Sequence, residues 1–122
     1  MSGPRILVID DHGGFRATAR RLLERDGWHV VGEAADGRGG LEAAAALAPD
    51  VVLLDIGLPD VDGFVVAERL AAADDAPSVV LISSRDQEAY RDRVRTSPVA
   101  GFIAKDRLDG ATLRSLLGPA LP

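Results

Sequence analysis

The feature that most constrains the fold of this chain is a regular alternation of short apolar runs with longer amphipathic segments. Five runs have strand length and are rich in β-branched residues: RILVI at 5–9, HVVGEA at 29–34, VVLL at 51–54, VVLI at 79–82 and GFIA at 101–104. Segments with helical spacing of apolar residues follow them, at 15–25, 38–47, 63–72, 86–95 and 108–117. This alternation predicts an α/β fold with helices on both faces of a parallel sheet.

The composition of the runs also predicts their order in the sheet. The first, third and fourth runs are almost entirely apolar, as expected of strands buried on both faces, whereas the second and fifth are mixed and suit the edges. This ranking fits the doubly wound order 2-1-3-4-5 of a flavodoxin-like three-layer sandwich. The topology then reverses between strands one and three, so a ligand is expected beyond the carboxyl ends of those two strands.

Composition limits the classes of function. The 122 residues suit one domain, predicted at 1–117, with 118–122 as a C-terminal tail or the start of a linker. There is no cysteine, which excludes disulfides, thiol chemistry and thiolate metal sites. The net charge of -5 argues against direct binding to nucleic acid, and no apolar stretch approaches the ~20 residues that cross a bilayer. We therefore expect a cytoplasmic protein that does not contact a membrane.

Polar side chains follow four of the five predicted strands. In chain order they are the acidic pair Asp10 and Asp11, then Asp55, the serine pair Ser83 and Ser84, and Lys105. Because the carboxyl ends of parallel strands share one edge of the sheet, the three carboxylates are expected to converge there. A hard divalent cation, best Mg²⁺, would compensate their charge. Carboxylate, Mg²⁺, hydroxyl and ammonium around one point are the groups that phosphoryl transfer requires.

Each of these residues also has a simpler interpretation. The acidic pair and the serine pair suit helix caps, and Asp55 suits the turn that begins at Gly57. Lys105 is the one lysine among 14 basic residues, and its compact ammonium suits a phosphoryl oxygen, but lysine also commonly closes an exposed edge strand. His12 is interpreted as a solvated loop residue without a role. The joint placement at successive strand ends favours a site.

The motifs at these strand ends resemble those of the receiver domain of bacterial two-component response regulators. The matching stretches are VIDDH at 8–12, VVLLDIGLPDVDG at 51–63, VVLISS at 79–84 and GFIAK at 101–105, within a similarity that covers about 5–117. VVGEAADG, and KD after strand five, are closest in pattern to the subfamily with helix-turn-helix output domains. The resemblance implies a flavodoxin-like fold, Mg²⁺ as cofactor, and a sensor histidine kinase or phosphotransfer protein as partner.

The resemblance also implies roles by position. Asp55 would be the phosphoacceptor that attacks a phosphohistidine and becomes an aspartyl phosphate. Asp11, Asp55 and the backbone carbonyl of Gly57 would ligate Mg²⁺, with Asp10 acting mainly through metal-bound water. Lys105 would hold a phosphoryl oxygen.

The remaining implied roles concern the output. Ser83 would swing its hydroxyl onto the phosphoryl group, and Ser84 would add its backbone N–H. Phe102 occupies the family's aromatic switch position, often a tyrosine, and would turn inward to change the surface formed by helix four, strand five and helix five. Pro98 predicts that helix four ends early. A second copy of the chain, bound through that surface or through helices one and five, is a further implied partner.

Other functions remain open on the residues alone. A magnesium-dependent aspartyl phosphohydrolase usually has a second carboxylate two residues after its nucleophile, where this chain has Gly57. A flavodoxin-like cofactor domain would need a hydroxyl-rich phosphate loop in place of DDHGG. A receiver fold that works as an interaction module without phosphorylation is the third. We expect a binding module with self-phosphorylation and self-dephosphorylation chemistry, not a turnover enzyme.

Overall fold

A five-stranded parallel sheet forms the centre of the computed structural model, which describes residues 3–84 and 87–121. The strands are β1 (Arg5–Ile9), β2 (His29–Ala34), β3 (Val51–Asp55), β4 (Ser78–Ser83) and β5 (Gly101–Ala104). Their order is β2-β1-β3-β4-β5 and every pairing is parallel. The three central strands are almost fully buried and the two edge strands are partly exposed. The predicted fold class and strand order are therefore confirmed.

Helices cover both faces of the sheet. They are α1 (Gly13–Arg25), α2 (Gly37–Leu47), α3 (Gly63–Ala71), α4 (Arg91–Thr96) and α5 (Gly110–Leu117). One apolar layer joins the sheet to α1 and α5, and a second joins the opposite face to α2, α3 and α4. Each strand residue contributes to the layer that its side chain faces, because successive residues point to opposite faces. In the described ranges, none of the helices combines the length and apolar character needed to cross a membrane.

Four of the five helices begin and end within two residues of their predicted bounds, and α4 differs more. The segment predicted at 86–95 is a short 3-10 turn, Gln87–Tyr90, followed by α4, which ends at Thr96; residue 86 lies outside the described part. The early end before Pro98 is as predicted. α5 begins at 110 instead of 108, because the Asp109 side chain accepts a hydrogen bond from the Thr112 N–H at 2.7 Å and caps the helix there.

The end of β3 is fixed by its neighbours in the sheet and by α3. The Ile56 N–H donates to the carbonyl of Ile82 in β4 at 3.0 Å, and the Gly63 N–H donates to the carbonyl of Ile56 at 3.2 Å. A Cβ at Gly63 would lie 2.7 Å from the Asp55 carbonyl oxygen. Only glycine permits α3 to begin this close to the strand end that carries Asp55.

Candidate functional site

Four side chains with metal-binding chemistry meet beyond β1 and β3, where the sheet topology reverses. One ligand atom from each of Asp10, Asp11, His12 and Asp55 lies within 4.8 Å of the others. Asp10 is fully buried and Asp55 is only 5 % exposed, whereas Asp11 and His12 are exposed. The two buried carboxylates thus form the floor of the cluster, and the exposed pair forms its rim.

Lys105 points into this cluster instead of towards solvent. Its Nζ lies 2.7 Å from Asp10 Oδ2 and 3.6 Å from Asp55 Oδ2, and its side chain is 14 % exposed. The ammonium also lies 4.7 Å from the centre of the Phe15 ring of α1. Among the described residues, Asp10 Oδ2 accepts no well-aligned hydrogen bond. Its contact with the Lys105 ammonium is therefore an ion pair. The alternative interpretation, a lysine that closes an exposed edge strand, does not fit this position, because the ammonium lies beside two buried carboxylates.

The ionisation of Asp55 is set by opposing neighbours. Burial raises the pKa of the Asp55 carboxyl above its usual value, and the nearby charge of Asp10 raises it further. The Gly57 N–H donates to Asp55 Oδ1 at 3.1 Å, and this bond and the charge of Lys105 lower the pKa in part. The net direction is upward, so additional positive charge would favour the ionised carboxylate.

The acidic pair does not cap α1. His12 occupies the N-cap position of α1, but its side chain makes no capping hydrogen bond. Asp10 Oδ1 instead accepts a hydrogen bond from the His12 N–H at 2.8 Å, and His12 Nδ1 lies 3.1 Å from Asp11 Oδ1. His12 is exposed, as the sequence predicts, but its imidazole lies against both carboxylates.

An open cavity of about 280 Å³ lies beside Asp55 and Lys105. It is lined by His12, Asp55, Gly57, Ser83, Ser84, Tyr90 and Lys105. Ser83 is buried at the end of β4 and Ser84 is exposed. Neither serine caps α4, because Tyr90 occupies that position. The structure therefore brings together all the residues singled out from strands three, four and five except Phe102.

Phe102 lies elsewhere. It is half-buried in β5 and packs against the apolar layer shared with α3 and α4. Within the described part of the chain, it is not among the residues that line the cavity. Its role as an aromatic switch stays a prediction.

Sequence reasoning missed two residues that act on this site. Tyr90 lines the cavity from the turn before α4, and the only hint in the sequence is that it is the sole tyrosine.

The second residue is Arg16 of α1. It donates from Nη1 to the Asp10 carbonyl at 2.6 Å and from Nε to Glu33 at 3.1 Å. Arg20 also donates to Glu33, and its hydrogen bond is the main reason that the pKa of the Glu33 carboxyl is lowered.

The donor set fits Mg²⁺. The carboxylates of Asp10, Asp11 and Asp55 cluster together, Lys105 pairs with the first and last of them, and carboxylate oxygens are the ligands this hard cation prefers. The predicted contribution of the Gly57 carbonyl stays a prediction, since the contact found for this residue is its N–H to Asp55.

A buried aspartate at the switch point of a doubly wound sheet, next to an acidic pair, a serine and a lysine, matches the arrangement that the motifs predict. The chain belongs to the response regulator receiver domain family, whose sequence model matches residues 6–117. It is therefore a phosphoacceptor domain in signal transduction, as the motifs indicate.

Relatives agree with this assignment. The probable transcriptional regulatory protein NarL of Mycobacterium tuberculosis is 38% identical over 127 residues, which cover 96% of this chain and 59% of that protein. A putative transcriptional regulator of Pseudomonas aeruginosa is 35% identical over 101 residues, covering 83% of this chain and 49% of the relative. The chain thus spans about half the length of the curated relatives it matches.

The solved structures agree as well. The signal receiver domain of the putative response regulator NarL from Mycobacterium tuberculosis superposes with a TM-score of 0.85 at 36% identity, covering 97% of this chain and 99% of that chain. The fold and the family are therefore supported by independent comparisons of sequence and structure.

Proposed function

We propose that this receiver accepts a phosphoryl group on Asp55, in a Mg²⁺-dependent reaction, from a sensor histidine kinase or a phosphotransfer protein. The observation that carries the proposal is the buried Asp55 carboxylate in a cavity with Lys105, Ser83 and the acidic pair. Histidine kinases take their phosphoryl group from ATP inside the cell, so we place this function in the cytoplasm.

The transfer follows from the chemistry of the residues. An Asp55 carboxylate oxygen attacks phosphorus, the phosphorus–nitrogen bond of the donor breaks, and its electron pair passes to the imidazole, which takes a proton. Asp10, Asp11, Asp55 and the Gly57 carbonyl would hold a Mg²⁺ ion, directly or through water, and the ion would supply positive charge that stabilises the phosphoryl oxygens. Lys105 would bind one of those oxygens, and the 3.6 Å between its Nζ and Asp55 Oδ2 supports this role.

The phosphorylated state is proposed to act as a signal. Ser83 would contact the phosphoryl group, with Ser84 adding its N–H, and the surface of α4, β5 and α5 would change in response. Transcriptional regulators among the relatives suggest a transcriptional output, and a second copy bound through that surface or through α1 and α5 is a further candidate partner.

The domain itself is proposed to have no turnover activity. A methylesterase/glutaminase of Myxococcus xanthus is 43% identical over 86 residues, but these are only 25% of that protein. A phosphohydrolase is disfavoured because Gly57, two residues after Asp55, has no side chain to serve as acid or base.

The proposal is tested by incubating the protein with acetyl phosphate and Mg²⁺ and measuring its intact mass. One phosphoryl group, stable in acid and labile in base, is expected on the parent and absent from Asp55→Asn. Asp74→Asn, a change at an exposed aspartate outside the site, is the control and should be labelled like the parent. Equal labelling of the parent and Asp55→Asn would rule out the assignment.

A further inference from the structure

Tyr90 belongs both to the wall of the cavity and to the start of a helix. It lines the cavity together with Asp55, Ser83 and Lys105. It is also the last residue of the 3-10 turn and the residue that precedes α4 in the N-cap position. A displacement of Tyr90 would therefore act directly on the position at which α4 begins.

The ring of Tyr90 also contacts α3. Its centre lies 6.2 Å from the centre of the Phe64 ring, with the two planes tilted by 45°, which is a favourable aromatic pairing. Phe64 is only 4 % exposed and lies in the first turn of α3. Its backbone N–H donates to the side chain of Asp62, the residue that caps α3, at 2.8 Å. Tyr90 thus packs against a residue that is itself firmly held.

Phe64 holds α4 from a second direction. The guanidinium of Arg93, inside α4, lies 4.0 Å from the centre of the Phe64 ring, a cation–π contact. Arg93 NH2 also lies 3.0 Å from Asp62 Oδ2. Tyr90 and Arg93, on either side of the first turn of α4, therefore share Phe64 as their anchor on α3.

α4 itself is weakly held. It has six residues, none of them buried, and the side chain of Tyr90 at its N-cap position makes no capping hydrogen bond. Helices this short are marginal without tertiary contacts, and elements with few buried contacts are those that move most easily. The position of α4 therefore depends on a small number of contacts, among which those through Phe64 are prominent.

We propose that Tyr90 is the positioning residue that couples occupancy of the Asp55 cavity to α4, through Phe64 and Arg93. This inference rests on the proposed phosphorylation of Asp55. A phosphoryl group adds negative charge and bulk to a cavity that Tyr90 partly encloses, so the ring must adjust, and its contact with Phe64 changes with it. Tyr90 lines the cavity, and the switch role that the resemblance implies for Ser83 and Phe102 stays a separate prediction.

The first test uses the fact that Tyr90 is the sole tyrosine. Protein labelled with 3-fluorotyrosine gives one ¹⁹F resonance, which is recorded with Mg²⁺ before and after addition of beryllium fluoride, a mimic of the aspartyl phosphate. We expect the resonance to shift in the parent and to stay in place in Asp55→Asn. An unmoved resonance in the parent, with beryllium fluoride bound, would overturn the inference.

The second test separates coupling from packing. Backbone amide shifts are recorded at saturating beryllium fluoride for Tyr90→Leu, Tyr90→Phe and Phe102→Leu. In Tyr90→Leu, the shift changes in α4 should fall below about half of the parent's, while those at Gly57, beside Asp55, persist. Tyr90→Phe, which keeps the ring, and Phe102→Leu should retain most of the α4 response.

The outcomes distinguish the coupling role of Tyr90 from the proposed phosphorylation of Asp55. α4 changes of parental size in Tyr90→Leu would overturn the coupling role and leave the phosphorylation of Asp55 intact. Absence of any response at Gly57 in the parent would overturn the proposed function, and the coupling role with it.

Discussion

At the scale of single residues, the carboxylates of the site carry more negative charge than the ammonium of Lys105 neutralises. Asp55 and Asp10 are buried beside each other, and Lys105 lies between them. Burial and the Asp10 charge raise the pKa of the Asp55 carboxyl, which means that its ionised form is disfavoured in the folded protein. Ionised Asp55 therefore lowers the stability of the fold, although the ionised carboxylate is the form that the proposed transfer requires.

We predict that Asp55→Asn raises the unfolding midpoint at pH 7 in the absence of Mg²⁺. Because the folded-state pKa lies above the unfolded value near 3.8, the folded protein binds the proton more tightly, and the parent loses stability as pH rises through that interval. The variant avoids this loss, so its advantage should shrink towards acid pH. Thermal unfolding measures it, with each kcal/mol worth about 3–5 °C at this size.

Asp60→Asn is the control of opposite sign. Asp60 accepts hydrogen bonds from the Gly37 and Arg38 N–H groups at 2.7 and 3.0 Å, and these bonds lower the pKa of its carboxyl. Its contribution to stability is present above the unfolded pKa and is lost as pH falls through the folded one. The variant should therefore unfold at a lower temperature than the parent at pH 7. A lower midpoint for Asp55→Asn as well would contradict the charge argument.

A second prediction concerns Asp11, the exposed carboxylate of the cluster. Asp11→Asn removes the charge of a proposed ligand without emptying a buried position, so the fold should be retained while Mg²⁺ affinity falls by about tenfold or more. Isothermal titration with Mg²⁺ measures the loss, and Asp74→Asn again provides a matched exposed control. Unchanged affinity would mean that the ion is held by other groups.

At the scale of secondary-structure elements, the contact between β3 and α3 fixes the backbone at Asp55 and Ile56. Gly63 begins α3 where a Cβ would lie 2.7 Å from the Asp55 carbonyl oxygen and 2.8 Å from the Ile56 Cα. Both obstacles are backbone atoms, so a side chain could be accepted only if the helix or the strand end moved.

We predict that Gly63→Ala destabilises the protein by about 1–3 kcal/mol and slows phosphorylation by acetyl phosphate, because the Asp55 backbone must shift. Gly14→Ala is the control, since a Cβ there meets no atom within 4 Å and alanine favours the helix. The control should be as stable as the parent or more so. Equal stability of both variants would show that α3 moves freely relative to β3.

Strand order and the strand-end residues could be predicted because they depend on local patterns. Continuous apolar runs identify central strands, and parallel strands bring their carboxyl ends to one edge. Tyr90 could not be found in this way, because its importance comes from a turn that brings it to the cavity wall and to Phe64. The predicted start of α5 at 108 is two residues early, because apolar spacing does not reveal the capping hydrogen bond from the Thr112 N–H to Asp109 that fixes the first turn.

At the scale of the whole molecule, α5 and α4, which lie on opposite faces of the sheet, are anchored differently. On the face of α1 and α5, the buried Trp28 donates from Nε1 to the Gly110 carbonyl at 3.2 Å, and the Gly110 N–H donates to Asp26. On the opposite face, α4 contributes no buried residue. A change transmitted from the cavity should therefore appear on the α4 face before it appears on the α1–α5 face.

We predict that Trp28→Phe destabilises the whole domain by about 1–3 kcal/mol, since it removes the hydrogen bond from Trp28 Nε1 to the Gly110 carbonyl and opens a small cavity. Far-UV circular dichroism is the appropriate measurement, because Trp28 is the sole tryptophan and its fluorescence is lost. His29→Gln, at the exposed neighbouring position, should leave the midpoint unchanged. A fully stable Trp28→Phe variant would show that α5 is anchored by other contacts.

The placement of Lys105 also determines how the protein responds to chemical labelling. The one ε-amino group of the chain is largely shielded and lies between two carboxylates of the site. Reagents that acylate amines therefore have a single side-chain target in this sequence, and its rate of modification reports whether that amine is engaged. A fully acylated Lys105 would lose the positive charge that faces Asp10 and Asp55, so the same reaction would both read the state of the site and disable it.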